Sequence, residues 1–279
     1  MEQLYCDVSF RISEMITRTY STSFSIAVSY LKPEKRKAIY SIYGFVRLAD
    51  EIVDSFHNYD KKLLLDKFTN DYYEAFNTGI SLNPVLYAFQ QVVRQYNIPD
   101  ELIQAFLKSM KADLGEINYS HKDQIKEYVY GSAEAVGLMC LMVFVNGDQN
   151  LFNELQDFAM KLGSAFQKVN FLRDLKNDIE FLDRNYFPEI HNKPFDEDIK
   201  NKIIRDTESD FSTSYPGITK LPDDAKYPVM IAYLYYRRLL KKISGTPADK
   251  LITTRIRVSD IIKAFLLIKA YLICKIKLR

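Results

Sequence analysis

Asp50 and Asp54 stand four residues apart in the segment IYSIYGFVRLADEIVD, and Asp174 and Asp178 repeat the spacing in KLGSAFQKVNFLRDLKND. On a helix, residues so spaced project from one face. Tyr43, Arg47, Asp50 and Asp54, spaced +4, +3 and +4, form a polar stripe bordered by Ile39, Ile42, Val46, Ala49 and Val53. Gly163, Gln167, Asn170, Asp174 and Asp178 form a second, spaced +4, +3, +4 and +4, with Arg173 at its flank. A polar stripe edged by core residues looks into a pocket. Facing carboxylates in such a pocket are strongly disfavoured unless something neutralises them, and two arginines offset only part of the charge. A hard divalent cation is one complement: Mg²⁺, with Mn²⁺ as an alternative, takes oxygen ligands and is commonly held by a few carboxylates together with substrate phosphates. Arginines, amides and a tyrosine hydroxyl beside it suit a diphosphate. The other reading is a pair of interhelical salt-bridge networks that fix helix register. A third pair, Asp206/Asp210, lies in the polar run RDTESDFSTS and reads as a solvated face.

The elements that must position these stripes are helices. The chain has 279 residues with only 9 Gly and 9 Pro, too few for a turn-rich β architecture. Pro33 opens a helical run to about Phe56, and the chain from Pro99 to Pro188 is free of proline, as long core helices require. Apolar periodicity predicts further helices at 8–29, 61–77, 83–96, 100–119, 123–146, 150–182, 196–212, 222–244 and 257–275, with a loop at Asp183–Phe195. No strand, internal repeat or linker is evident, so residues 1–279 read as a single all-α domain. A formal charge of +2 gives no field for gripping a phosphate backbone, so nucleic acid is not an expected partner. Cys6, Cys140 and Cys274 are scattered, which suits a reducing cytoplasm better than a disulfide framework. His57, His121 and His191 stand singly, and GxSxG, P-loop and GxGxxG signatures are absent. No secretory signal or membrane span is expected. Lys263, Lys269, Lys275 and Lys277 interrupt the apolar C-terminal run, which reads as a closing helix able to lie against a membrane surface.

DEIVD at 50–54 and QKVNFLRDLKND at 167–178 resemble the two aspartate motifs of the squalene/phytoene synthase family of head-to-head prenyltransferases. YSTSF at 20–24, EYVYGSAEAVG at 127–137, RNYFP at 184–188, the tyrosine-rich segment around Tyr236 and RIRVSDIIK at 255–263 extend the resemblance over most of the chain. The resemblance implies an all-α bundle of the isoprenoid synthase type with a central cavity. It implies prenyl diphosphate substrates and Mg²⁺ held by Asp50, Asp54, Asp174 and Asp178. It assigns diphosphate binding to Ser21, Ser23, Tyr43, Arg47, Gln167, Asn170, Arg173, Tyr186, Tyr236 and Arg255, with Arg257 competing for the last role. Tyr20, Phe24, Tyr40, Phe45, Tyr128 and Phe171 are aromatic candidates for a cavity that must shelter a carbocation. Ala133, Ala135 and Gly137 would let a prenyl chain pass between helices or let the helices pack closely.

The spacing of Ile203–Phe211, followed by GITKLP at 217–222, resembles bacterial phytoene synthases. That implies condensation of two C20 geranylgeranyl diphosphates without NADPH, in carotenoid biosynthesis, with downstream carotenoid enzymes as partners. It also implies a cytoplasmic protein that can sit peripherally on the inner face of the cytoplasmic membrane. A C15-using dehydrosqualene or squalene synthase is the nearest alternative, and a non-catalytic helical scaffold of the same fold is the next.

Overall fold

Short polar side chains and prolines set the helix ends. The Asp60 carboxylate accepts from the Leu63 N–H at 2.9 Å, Asn83 accepts from Val85 at 3.0 Å beside Pro84, and Asp196 accepts from Ile199 at 2.9 Å. Gly79 and Asn97 end their helices in the left-handed region at φ 80° and 51°. The computed structural model describes residues 2–115, 122–180, 186 and 195–276, with backbone alone at 122, 177–180 and 276. Among the described residues there is no strand. The elements in order are α1 (Glu2–Tyr20), α2 (Thr22–Ser29), α3 (Pro33–Ser55), α4 (Lys61–Thr78), α5 (Pro84–Tyr96), α6 (Asp100–Ala112) and α7 (Lys122–Val129). A π-helical turn (Tyr130–Glu134) then leads to α8 (Ala135–Phe144), α9 (Gln149–Glu180), α10 (Glu197–Lys220), α11 (Asp223–Ser244), α12 (Ala248–Leu251) and α13 (Asp260–Ile276).

Long α9 packs against α8, α10 and α11, while α3 packs against α1, α5 and α8. Between them lies a cavity of ≈ 1850 Å³ lined by both α3 and α9. Away from the cavity, the inner face of α3 feeds an aromatic core: Phe45 stacks on Phe89 at 4.0 Å and meets Phe68 and Tyr72. Phe45 therefore serves packing rather than the cavity. Tyr40 is buried too, its hydroxyl donating to the Ser25 carbonyl at 3.4 Å, and it does not line the cavity either. Buried Lys35 ties three elements, reaching the Phe144 carbonyl at 2.7 Å and Asp224 at 2.8 Å. That pair holds the Asp224 carboxyl below its ordinary range even though burial works the other way.

The helical reading of the sequence holds, with local differences. The run 8–29 breaks at Ser21 (φ −144°, ψ 91°), where Thr19, Ser21, Thr22 and Ser23 crowd together and hydroxyl groups compete with the helical backbone. Within 123–146 the π turn intervenes. Gly131 lies against α6 there, so close that a Cβ would sit 2.3 Å from the Ala105 carbonyl oxygen. α10 continues through Pro216 to Lys220, because both Pro216 and the Ser212 carbonyl that loses its donor face solvent, where water serves instead. The Asp183–Phe195 loop lies outside the described residues except at Tyr186 and Phe195. By length and composition the stretch Asp123–Phe144 could cross a membrane, which sequence runs alone did not suggest, but half of that window is buried in the bundle.

The third aspartate pair is the clearest correction. Asp206 is exposed, as a solvated face requires, whereas Asp210 is buried between α10 and α9. Its carboxylate accepts from Ser164 at 2.9 Å, Lys168 at 2.7 Å and Lys161 at 3.2 Å. The polar composition of the segment hid this, since a single inward position among hydroxyls does not stand out. Removing the buried acid strands three donors, so Asp210→Ala is expected to cost about 1–3 kcal/mol of stability. Asp206→Asn should change it by no more than about 0.5 kcal/mol. Urea melts of the two variants check the contrast, and equal effects would contradict it.

Candidate active site

The break at Ser21 turns α2 so that Ser21 and Ser23 face the cavity together with Tyr43, Arg47, Asp50 and Asp54 of α3. From the opposite wall, α9 contributes Gln167, Asn170, Arg173 and Asp174, while Tyr186, Tyr236 of α11 and Arg255 complete the ring. Every residue to which the sequence assigned metal or diphosphate binding thus lines one cavity, apart from Asp178, whose side chain lies outside the described residues. Arg257 lines it as well. Of the six aromatic candidates, Tyr20, Phe24, Tyr128 and Phe171 line the cavity. Ala133 and Gly137 do also, but Ala135 is fully buried in the helix interface.

On the α3 wall the Arg47 guanidinium forks between Asp50 and Glu51 and lies 4.4 Å from the centre of the Tyr20 ring. Its Nε is buried with no hydrogen-bond partner, a donor left over after both acids are served. Burial works against its charge, yet Asp50 and Glu51 outweigh that and raise its pKa. Phe24 stacks on the Tyr43 ring at 5.1 Å, and burial pushes the Tyr43 phenol up to about 12. On the α9 wall Arg173 donates to Asp174 through Nε at 3.1 Å, and Arg255 reaches the same carboxylate at 2.8 Å. Burial opposes the Arg173 charge, and the bonds to Asp174 overcome it and lift the pKa above the ordinary guanidinium value. Tyr236, raised by burial, donates to the Asn170 side-chain oxygen at 3.3 Å and stacks on Phe166 at 4.0 Å. Gln167 donates to Ser132, on the π turn, at 3.4 Å. Both phenols therefore stay neutral hydrogen-bond donors through the physiological range.

Arg47 finds its two acids on its own helix, and Arg173 finds one next to it in the chain. The Asp174–Arg255 pair, by contrast, joins α9 to the segment that precedes α13. The cavity brings guanidinium groups, amides and neutral hydroxyls together with apolar lining residues that include Leu141, Phe144, Leu155, Phe158 and Ile218. Among the described residues no three acidic, His or Cys side chains converge as a metal cage. Separate carboxylates on two walls, with the orphaned Arg47 Nε beside them, fit a Mg²⁺ ion that takes most of its oxygens from water and a bound diphosphate.

A family profile described as squalene/phytoene synthase matches residues 17–261. The chain belongs to the squalene/phytoene synthase family. Within that family it is similar to a phytoene synthase of Arthrospira platensis, at 25% identity over 266 residues that cover 86% of this chain and 85% of that protein. It is also similar to chloroplastic phytoene synthase 1 of Solanum lycopersicum, at 27% identity over 244 residues covering 81% of this chain and 59% of that one. The chain spans about three-fifths of the length of such plant relatives. Its fold is that of a dehydrosqualene synthase solved with a ligand, with a TM-score of 0.82, 22% identity and 98% coverage of both chains. The all-α isoprenoid synthase fold expected from the sequence is thereby shown.

Sequence reasoning passed over Glu51, because an acid one position off a stripe carries no periodic signal. It also passed over Asp113, which follows α6 and lines the cavity. The Asp113 carboxylate accepts from the Tyr128 hydroxyl at 3.0 Å, and that hydroxyl lies 3.4 Å from the Tyr186 hydroxyl. Tyr186 in turn stacks on Phe171 at 4.3 Å. Only the fold joins these four residues, which come from separate parts of the chain. Tyr128→Phe takes a donor from a buried carboxylate and should cost about 1–3 kcal/mol in chemical denaturation, with an unchanged midpoint contradicting this role for the bond.

Proposed function

We propose that the chain catalyses the head-to-head (1-1′) condensation of two prenyl diphosphates, with two C20 geranylgeranyl diphosphates giving phytoene. The observation that carries this reading is the single cavity into which Arg47, Arg173 and Arg255 project beside Asp50 and Asp174. Its volume of ≈ 1850 Å³ exceeds the roughly 300–1,000 Å³ of ordinary small-molecule pockets, as two long substrates require. Family membership supports the same chemistry.

Asp50 and Asp54 of α3, Asp174 of α9 and, by its place in the second motif, Asp178 would hold Mg²⁺, with Mn²⁺ as an alternative. Such an ion supplies positive charge where the leaving diphosphate gathers negative charge. Arg47, Arg173 and Arg255 bind and orient the two diphosphates, assisted by Ser21, Ser23, Gln167, Asn170 and the neutral hydroxyls of Tyr43, Tyr186 and Tyr236. When the C1–O bond of one substrate breaks, diphosphate leaves with the electron pair and an allylic cation remains. The 2,3 double bond of the second substrate attacks that C1, and proton loss closes a cyclopropylcarbinyl diphosphate. Departure of the second diphosphate, rearrangement and a final proton loss give a 1-1′ linked triene with no reductant consumed. Tyr20, Phe24, Tyr128 and Phe171 line the cavity in which the cations would form, and aromatic rings near a cation stabilise it while apolar neighbours exclude water.

Incubation of purified protein with labelled geranylgeranyl or farnesyl diphosphate and Mg²⁺, with and without NADPH, tests the reading. A C40 triene from the C20 substrate, independent of NADPH, is the expected product. A C30 product from farnesyl diphosphate alone would move the assignment to the C15 alternative, and no hydrocarbon from either would support the scaffold. Asp50→Asn and Asp174→Asn should each lower turnover at least about a thousandfold while leaving the thermal midpoint nearly unchanged, because both side chains are partly exposed. Unfolding of these variants would instead favour the salt-bridge reading.

A further inference from the structure

The cavity follows α9 for much of its length. Its lining residues on that helix begin at Leu155 and end at Lys176, and they divide by chemistry. Up to Phe166 none carries a polar side chain, whereas from Gln167 onward all but Phe171 do. Phe158 stands in the apolar stretch and rests on Gly217 of α10, which lines the cavity too. The approach is closer than a side chain at 217 would permit: a Cβ there would overlap the Phe158 Cβ and sit 2.7 Å from its Cγ. Glycine weakens a helix relative to alanine, and the ring it admits explains its place here. On another side of the ring, Lys220 Nζ lies 5.7 Å from the ring centre and is tied to Glu154 at 2.8 Å. Phe158 is thus held between bare α10 backbone and an ion pair.

We infer that Phe158, seated on Gly217, is the stop that sets how long a prenyl chain the cavity accepts, an inference that rests on the prenyl diphosphate reading of the site. α9 itself is the ruler. Phe158 lies sixteen residues before Asp174, about 24 Å at 1.5 Å per residue. An extended chain gains roughly 3.5 Å for every three bonds, so the fifteen bonds of a C20 chain reach about 18 Å and the nineteen of a C25 chain about 22 Å. A C20 chain leaves space for a cation and a diphosphate before Asp174, and a C25 chain does not. Leu155 is the next lining residue beyond Phe158. Removing the ring therefore extends the cavity along α9 by about 4.5 Å, close to one isoprene unit.

The test is calorimetric titration of the full chain, with Mg²⁺, by the C15, C20 and C25 prenyl S-thiolodiphosphates. These carry sulfur in place of the C1 oxygen and ionise poorly, so they read chain length without turnover. The wild type should bind the C20 analogue at least about tenfold more tightly than the C25 one. Phe158→Ala should bring the C25 analogue to within about threefold of the C20 one. Gly217→Ala, which drives Phe158 off its seat toward the cavity that both residues line, should weaken the C20 analogue about tenfold relative to the C15 one. Phe152→Leu, a buried change on α9 away from the cavity, should leave every ratio as in the wild type. Because Gly217→Ala also strains the contact between α9 and α10, its melting midpoint is measured first, and Phe158→Ala decides the question where that variant does not fold. Discrimination between C20 and C25 that survives Phe158→Ala, or that is missing from the wild type, would overturn the inference and leave the prenyl diphosphate reading in place. Failure of all three analogues to bind the wild type would overturn that reading and the inference with it.

Discussion

Charge neutralisation inside a cavity is the constraint on which the rest of the structure depends. Asp50 and Asp174 stand on opposite walls, each held by guanidinium groups: Asp50 by Arg47, and Asp174 by Arg173 and Arg255. Unpaired, these carboxylates would destabilise a bundle of this kind. Paired as they are, they leave arginines with capacity to spare, and the unpartnered Nε of Arg47 is the direct sign of it. A site of this composition suits an anionic, oxygen-rich ligand, and the proposed diphosphate with a divalent cation would complete it. The remaining architecture serves this arrangement. Long α3 and α9 hold the two walls apart, the Phe45 and Phe89 core anchors α3 from behind, and Asp210 with Lys168 and Lys161 clamps α9 to α10.

How much of this the sequence disclosed follows from where the information resides. α3 and α9 were legible because a 3.6-residue period ran uninterrupted through apolar and polar positions alike, so the stripes Tyr43–Asp54 and Gln167–Asp174 could be read residue by residue. The break at Ser21 was not, because helix and turn differ there by a few competing hydroxyl bonds within a continuous helical pattern. The π turn escaped for another reason: Gly131 owes its place to the Ala105 carbonyl, which is distant in sequence and visible only in the fold. Asp210 and Asp113 share that character, since burial of a lone acid depends on what packs over it. Phe45 and Tyr40 are cavity candidates by residue type alone, and in the fold Phe45 packs on Phe89 while the Tyr40 hydroxyl reaches the Ser25 carbonyl.

In the proposed condensation the substrates are long prenyl chains with a charged head. In that proposed reaction arginines and aspartates would manage the negative charge of the leaving groups, and aromatic and aliphatic lining residues would surround the cationic hydrocarbon. Phenols held neutral by burial, Tyr43 and Tyr236, donate hydrogen bonds without adding negative charge near a carbocation.

The central claim is that the α3 and α9 walls form one site for a metal-bound diphosphate. Calorimetric titration of inorganic diphosphate into the purified protein, with and without Mg²⁺, tests it most directly. The account predicts saturable binding that strengthens at least about tenfold when Mg²⁺ is present. Binding indifferent to Mg²⁺, or no binding at all, would contradict it.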